Sequence, residues 1–177
     1  MSADNAALQE LLDKQACQEV LTRYARALDW VDEEALETVF FPDAEIDYGF
    51  FKGSGADFIP VVIELEQGFL RRWHNNGPAL IQINGDTAEA ESYGMATTVS
   101  EKDGETMTNI FGGRYIDRLE RRDDQWGIAK RLYLLDWQRS FEMEAGTGAV
   151  PGLPWLARPI IMKDSKMATP KKPASDR

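Results

Sequence analysis

The chain has 177 residues, 43% of them apolar and 28% charged, a formal net charge of −10, one histidine and one cysteine. One domain of roughly 140–150 residues accounts for this length, and such a domain buries about two thirds of its unfolded surface, enough to enclose a pocket. The acidic balance argues against nucleic acid or a membrane as partner, lone Cys17 excludes an intrachain disulfide or a cysteine-based zinc site, and no span or signal pattern is visible, so a soluble cytoplasmic protein is expected.

Taken in chain order, Leu8, Leu12, Ala16, Val20, Tyr24 and Leu28 recur at every fourth position, which predicts a first helix with Tyr24 on its buried face. Asp29 follows at its end, and Asp32 reads as the N-cap of a second helix through Glu33 to Phe40. Asp29 then falls on a corner between two helices. An acid turned inward there can hold an imidazole in one tautomer, although a capping or solvated acid is the simpler reading. Ala44 to Gly49 alternates as a short strand, Phe50 to Gly55 is a turn-rich link, and a third helix is expected from about Ala56 to Leu70. Its apolar side would be Val61, Val62, Leu65, Phe69 and Leu70, with Pro60 near the first turn, where proline is tolerated.

His74 comes next, in Arg71-Arg72-Trp73-His74-Asn75-Asn76-Gly77, ahead of an alternating run. As the only histidine it is the one side chain that titrates near neutrality without perturbation, and hence the first candidate for a general base; taken alone, a single histidine is more often a surface or satisfied core residue than a catalyst. From Ala79 to Arg139 the period is two. Leu80 to Ile83 and Thr87 to Met95 flank the hairpin signal Asn84-Gly85-Asp86, and turns at Lys102-Asp103-Gly104 and Arg122 to Gln125 separate long strands near 93–101, 106–120 and 126–139. Gly94, Gly112 and Gly113 mark bends in those strands. Parity puts Arg114 and Arg131 each on one face of the sheet and leaves open which face is the pocket; an inward arginine would bind an anionic or phenolic oxygen, an outward one would pair with nearby acids.

The expected fold class is therefore α+β: a curved mixed, mostly antiparallel β-sheet wrapped around three N-terminal helices in a single domain over 1–144. Glycines and prolines from Gly146 onward read as an extended arm over 145–162 that packs on the barrel or a neighbour, ahead of a disordered basic tail over 163–177. The last twenty residues hold six basic and two acidic residues, so the rest of the chain carries −14. Gly53-Ser54-Gly55 is too short for a dinucleotide loop and no Gly-x-Ser-x-Gly elbow exists. No metal and no cofactor is expected.

The element order, with Tyr24-Ala25-Arg26-Ala27-Leu28-Asp29, Phe41-Pro42-Asp43-Ala44, His74, Asn84-Gly85-Asp86-Thr87-Ala88, Gly113-Arg114-Tyr115 and Arg121 to Trp126, resembles the SnoaL-like branch of the NTF2-like superfamily over about residues 8–142. Within it the chain looks most like the cofactor-free lyases: scytalone dehydratase, bile-acid 7α-dehydratase, hexachlorocyclohexane dehydrochlorinase and diarylpropane lyase. The resemblance implies a cone-shaped α+β barrel with a deep apolar pocket, assembled as a homodimer or homotrimer, and an Asp–His pair with a tyrosine near it. Carried over, these are Asp29, His74 and Tyr24, while Pro78 after His74 departs from many relatives. The implied activity is a lyase of aromatic-compound catabolism acting on a bulky hydroxylated aromatic or polycyclic substrate. His74 would remove a proton, Asp29 would orient it, Tyr24 would donate to the developing oxygen, and water, or formaldehyde by retro-aldol cleavage, would leave. Tyr48, Trp73, Tyr115, Tyr133, Trp137 and Arg114 are the expected substrate-binding residues. The superfamily also holds non-catalytic β-type subunits of ring-hydroxylating oxygenases and small-molecule binding modules, which stand as the alternative.

Overall fold

In a computed structural model, which describes residues 3–142, helix α1 (Ala3–Trp30) leads through α2 (Glu33–Glu37) to β1 (Phe40–Asp47), β2 (Lys52–Ser54) and α3 (Gly55–Gln67). Five strands follow: β3 (Arg71–Asn76), β4 (Leu80–Asn84), β5 (Thr87–Lys102), β6 (Glu105–Arg122) and β7 (Gln125–Glu142). The expected arm over 145–162 and tail over 163–177 lie outside the described residues.

The buried face of α1 runs through Asp13, Cys17, Val20, Leu21, Tyr24, Ala27 and Leu28. Leu8 and Leu12, expected on that face, are each 54% exposed. A strict spacing of four overshoots the 3.6-residue turn by about 40° per step, so a stripe drawn that way winds off the buried side. The helix stops at Val31, whose left-handed φ of 53° breaks the helical path, and the Asp32 N–H donates back to the Ala27 carbonyl at 2.9 Å. Asp32 caps α2 as expected, its side chain accepting from the Ala35 N–H at 3.0 Å. That helix is shorter than its pattern implied. Phe40, expected to be helical, opens β1 and pairs with Ile128 of β7.

Ser54 caps α3, accepting from the Asp57 N–H at 3.1 Å, and Gly68 ends it two residues short of Leu70. Its buried face is Phe58, Ile59, Val62, Ile63 and Glu66, while Val61 and Leu65, expected inside, point to solvent. Pro60 lies in the second turn, on the exposed side.

The seven strands form one sheet in the order β2-β1-β7-β6-β5-β3, with β4 beside β3 on the same edge of β5. All pairings are antiparallel except β1 with β7, and the path is not closed. The inner face, which includes Ala88, Ala90, Tyr115, Leu119 and Ile128, curves around α1 and α3 to make a single core. Curvature comes from register shifts at Gly112/Gly113 and Arg118/Leu119 and from close approaches at glycine. A Cβ on Gly94 would lie 2.5 Å from the Tyr115 ring, so only glycine lets that ring cross β5.

Candidate active site

Asp29 occupies the last turn of α1 and His74 the fourth position of β3, the edge strand that α1 packs against. Residues alternate in β3, so Arg72, His74 and Asn76 turn inward and Trp73 outward. The His74 ring is brought to Asp29 with 2.8 Å between Nδ1 and Oδ1. A carboxylate only accepts hydrogen bonds, so with Asp29 ionised Nδ1 carries the hydrogen and the neutral ring presents a bare Nε2. Both residues line a cleft of about 260 Å³ along the sheet edge, together with Thr22, Ala25, Arg26, Trp30, Asn75 and Asn76. The Asn76 side-chain amide donates to the Leu21 carbonyl at 3.3 Å and fastens this part of β3 to α1.

A third titratable group completes the cluster. Glu66, in the last turn of α3 and only 4% exposed, puts Oε1 3.6 Å from His74 Nε2 and Oε2 3.9 Å from Arg72 Nε. Burial pushes its carboxyl above the ordinary range and nearby Asp29 adds to this, against the opposing pull of His74 and Arg72. Sequence reasoning passed over Glu66. The signal was present, because Ile59, Val62, Ile63 and Glu66 are spaced i, i+3, i+4 and i+7 and place this acid on the buried face of α3.

Tyr24 belongs to a second cluster. Its hydroxyl lies 2.5 Å from that of Tyr48, its ring meets Tyr115 edge-on, and Tyr48 and Tyr115 both pack against Tyr133. Arg131, inward and fully buried, makes a two-pronged bond to Asp117 at 2.7 and 2.8 Å and lies 4.2 Å over the Tyr24 ring and 4.4 Å over that of Tyr115. Burial raises the phenols of Tyr24, Tyr48, Tyr115 and Tyr133, most strongly Tyr24 and Tyr115, so all four remain protonated donors. The expected substrate-binding residues Tyr48, Tyr115 and Tyr133 thus do converge on Tyr24.

The remaining three do not. Trp73 is 52% and Trp137 50% exposed, and Arg114 forms an exposed two-pronged pair with Asp136 at 3.0 and 2.8 Å. Alternation puts Trp73 opposite His74 and Arg114 opposite Tyr115. The extra residue of β7 at the Gly112/Gly113 shift turns Trp137 to the outer face, where it covers Gly112. Burial pushes the Cys17 thiol up to about 12, with Asp13 adding to the effect, so it holds no reactive thiolate near neutrality. Among the described residues no three of His, Cys, Asp and Glu form a metal-holding group, and no helix is long and apolar enough to cross a membrane.

Comparison with known proteins agrees with this architecture. The model of the SnoaL-like domain family matches residues 9–132. An uncharacterised protein of Mycobacterium tuberculosis strain H37Rv is 29% identical over 127 residues, which are 70% of this chain and 85% of that protein. Among solved structures, a putative scytalone dehydratase from Novosphingobium aromaticivorans superposes with a TM-score of 0.67 at 22% identity, covering 76% of this chain and 91% of its own. A hexachlorocyclohexane dehydrochlorinase from Novosphingobium barchaimii does so with a TM-score of 0.69 at 17% identity, covering 82% of this chain and 99% of its own. At these identities the structural likeness establishes the fold, and with most of the length inside the family model the chain belongs to the SnoaL-like domain family, built on the fold of the NTF2-like superfamily.

Proposed function

We propose that this protein is a cofactor-independent lyase that eliminates water, or formaldehyde by retro-aldol cleavage, from a bulky hydroxylated aromatic or polycyclic substrate. The observation that carries the reading is the 2.8 Å bond between His74 Nδ1 and Asp29, which leaves Nε2 as a lone-pair base in a part-buried site. Asp29 orients the ring and stabilises the imidazolium that forms when Nε2 takes a proton. Of the two hydroxyl hydrogens of Tyr24 and Tyr48, their mutual bond uses one, so the pair keeps one donor for an oxygen on which charge develops. Tyr48, Tyr115 and Tyr133 offer ring faces to an aromatic ligand. The putative scytalone dehydratase and the hexachlorocyclohexane dehydrochlorinase among the structural neighbours are named for eliminations, which supports the same class of chemistry.

The test is to incubate the pure, metal-free protein and its His74→Ala variant with a panel of hydroxylated aromatic and steroid-like compounds and follow product masses with no cofactor added. The wild type is expected to release water or formaldehyde, and His74→Ala to do so about 10²–10⁴-fold more slowly, the usual contribution of a general base. Binding without turnover, or turnover indifferent to His74, would sink the reading and favour a small-molecule binding module or an oxygenase β-type subunit.

A further inference from the structure

Glu66 is the one buried acid of this site that the mechanism above leaves without work. Its Oε1 faces His74 Nε2 across 3.6 Å, too wide for a hydrogen bond, while its Oε2 and the Nε of Arg72 are both buried with no hydrogen-bond partner. Arg72 does not close on the carboxyl, because its Nη2 is committed to the Phe69 carbonyl at 2.7 Å. The groups facing Glu66 are therefore His74 and Arg72 from β3 and Asp29 from α1. A buried carboxylate that accepts no hydrogen bond, with its nearest guanidinium nitrogen 3.9 Å away, is costly in such a place, and the carbonyl end of α3 disfavours a negative charge there as well. A protonated carboxyl removes both penalties.

We infer that Glu66 is the acid partner of His74: the two carboxyl and imidazole groups form one couple that shares a proton, held on Glu66 while Nε2 is bare. The chemistry of the couple rests on the lyase reading and narrows it. In an elimination, Nε2 takes the proton from the carbon next to the carbinol carbon, and the C–H electron pair becomes the new C=C bond. The C–O bond breaks with its electrons on oxygen, and Glu66 gives that oxygen its proton, so that water departs. His74 is then an imidazolium and Glu66 a carboxylate, and one proton transfer from Nε2 to Oε1 restores both. Such a couple favours a hydroxyl leaving group, which needs a proton to depart, over a halide, which does not.

The lone histidine makes the test direct. In the full chain labelled with ¹⁵N-histidine, one imidazole gives the whole spectrum. The Nε2 signal is expected to register the ionisation of Glu66 as a separate step above the ordinary carboxylate range, and Glu66→Gln, which keeps the side-chain shape, is expected to lose that step. A wild-type signal with a single step, or one unchanged by Glu66→Gln between pH 5 and 9, overturns the couple whatever the chain turns over. With a turned-over β-hydroxy ketone from the panel and its β-chloro counterpart, Glu66→Gln should lower kcat for the hydroxyl compound about 10²-fold or more, with KM little changed. Its effect on the chloro compound should be at least about tenfold smaller, and equal losses overturn the acid role. A two-step titration in a chain that turns over nothing would sink the lyase reading and leave the couple standing.

Discussion

At the residue scale the site is a place where three titratable side chains, Asp29, His74 and Glu66, meet with too few hydrogen-bond partners. Glu66 has its carboxyl raised by burial first and by Asp29 second, so over the pH range between its unfolded and folded values the native state binds more protons than the unfolded chain. The contribution is fully present below the unfolded value and is lost as pH rises through the folded one, at about 1.4 kcal/mol for each unit the carboxyl is raised. Glu66→Gln removes this dependence. The melting temperature of the variant relative to the wild type is therefore expected to be higher at about pH 8.5 than at about pH 4.5, near the unfolded value; a difference that stays flat across that range would mean that the carboxyl is not raised in the folded protein. The same residue shows why the site was only half legible. Asp29 and His74 could be picked out by residue type and position, one at a helix end and the other alone of its kind. Glu66 needed its helix placed in three dimensions, and an acid among apolar neighbours reads on its own as just another solvated glutamate. The inward turn of Arg131 was undecidable for a related reason, since parity tells which residues share a face but not which face is filled.

At the scale of elements, the parts read correctly are those whose signals are local. Asn84-Gly85-Asp86 encodes its own turn, with Gly85 at a φ of 62°, and Asp32 caps its own helix. The part missed, β3, has no strand pattern of its own: Arg71 to Asn76 is polar except for the outward Trp73, its inward face is Arg72, His74 and Asn76, and it becomes a strand because Gly94 to Val99 of β5 pair with it. The true edge of α1 and the buried side of α3 depended likewise on what they pack against. Helix α3 carries Glu66 and joins the short β2 to β3, so its start has leverage on the site. Ser54 holds that start through the Asp57 N–H, and its hydroxyl donates to the Asp57 carboxylate at 2.6 Å. Ser54→Ala is expected to cost about 0.5–2 kcal/mol, typically near 1, in urea unfolding, with the slope unchanged. Gly55 is expected to tolerate less. A Cβ there would stand 2.3 Å from the Phe41 carbonyl oxygen, a backbone atom that cannot move aside without shifting β1.

At the scale of the whole molecule, what remains is the outer face of the sheet. Trp73 on β3, Tyr93 and Met95 on β5 and Trp137 on β7 share that face and are 52%, 64%, 41% and 50% exposed. Four large apolar side chains on one side of a curved sheet make a patch of the kind that marks a contact surface. The chain is acidic, and two copies meeting through a charged face would repel; this face lets them meet through its apolar part, with the Arg114–Asp136 pair already neutralised within one copy. The expected outcome is a homodimer or homotrimer by light scattering, reinforced by salt because added ions screen the repulsion of the net charge while leaving the apolar contact intact. Trp137→Glu puts a negative charge in the middle of the patch, above Gly112, on a chain that is already acidic. It is expected to shift the mass to that of the monomer at micromolar concentration while the His74–Asp29 site, on the inner face, is left as it was. A mass unchanged by Trp137→Glu would move the contact elsewhere, and the half-exposed tryptophans would then have to be explained by a partner of different sequence.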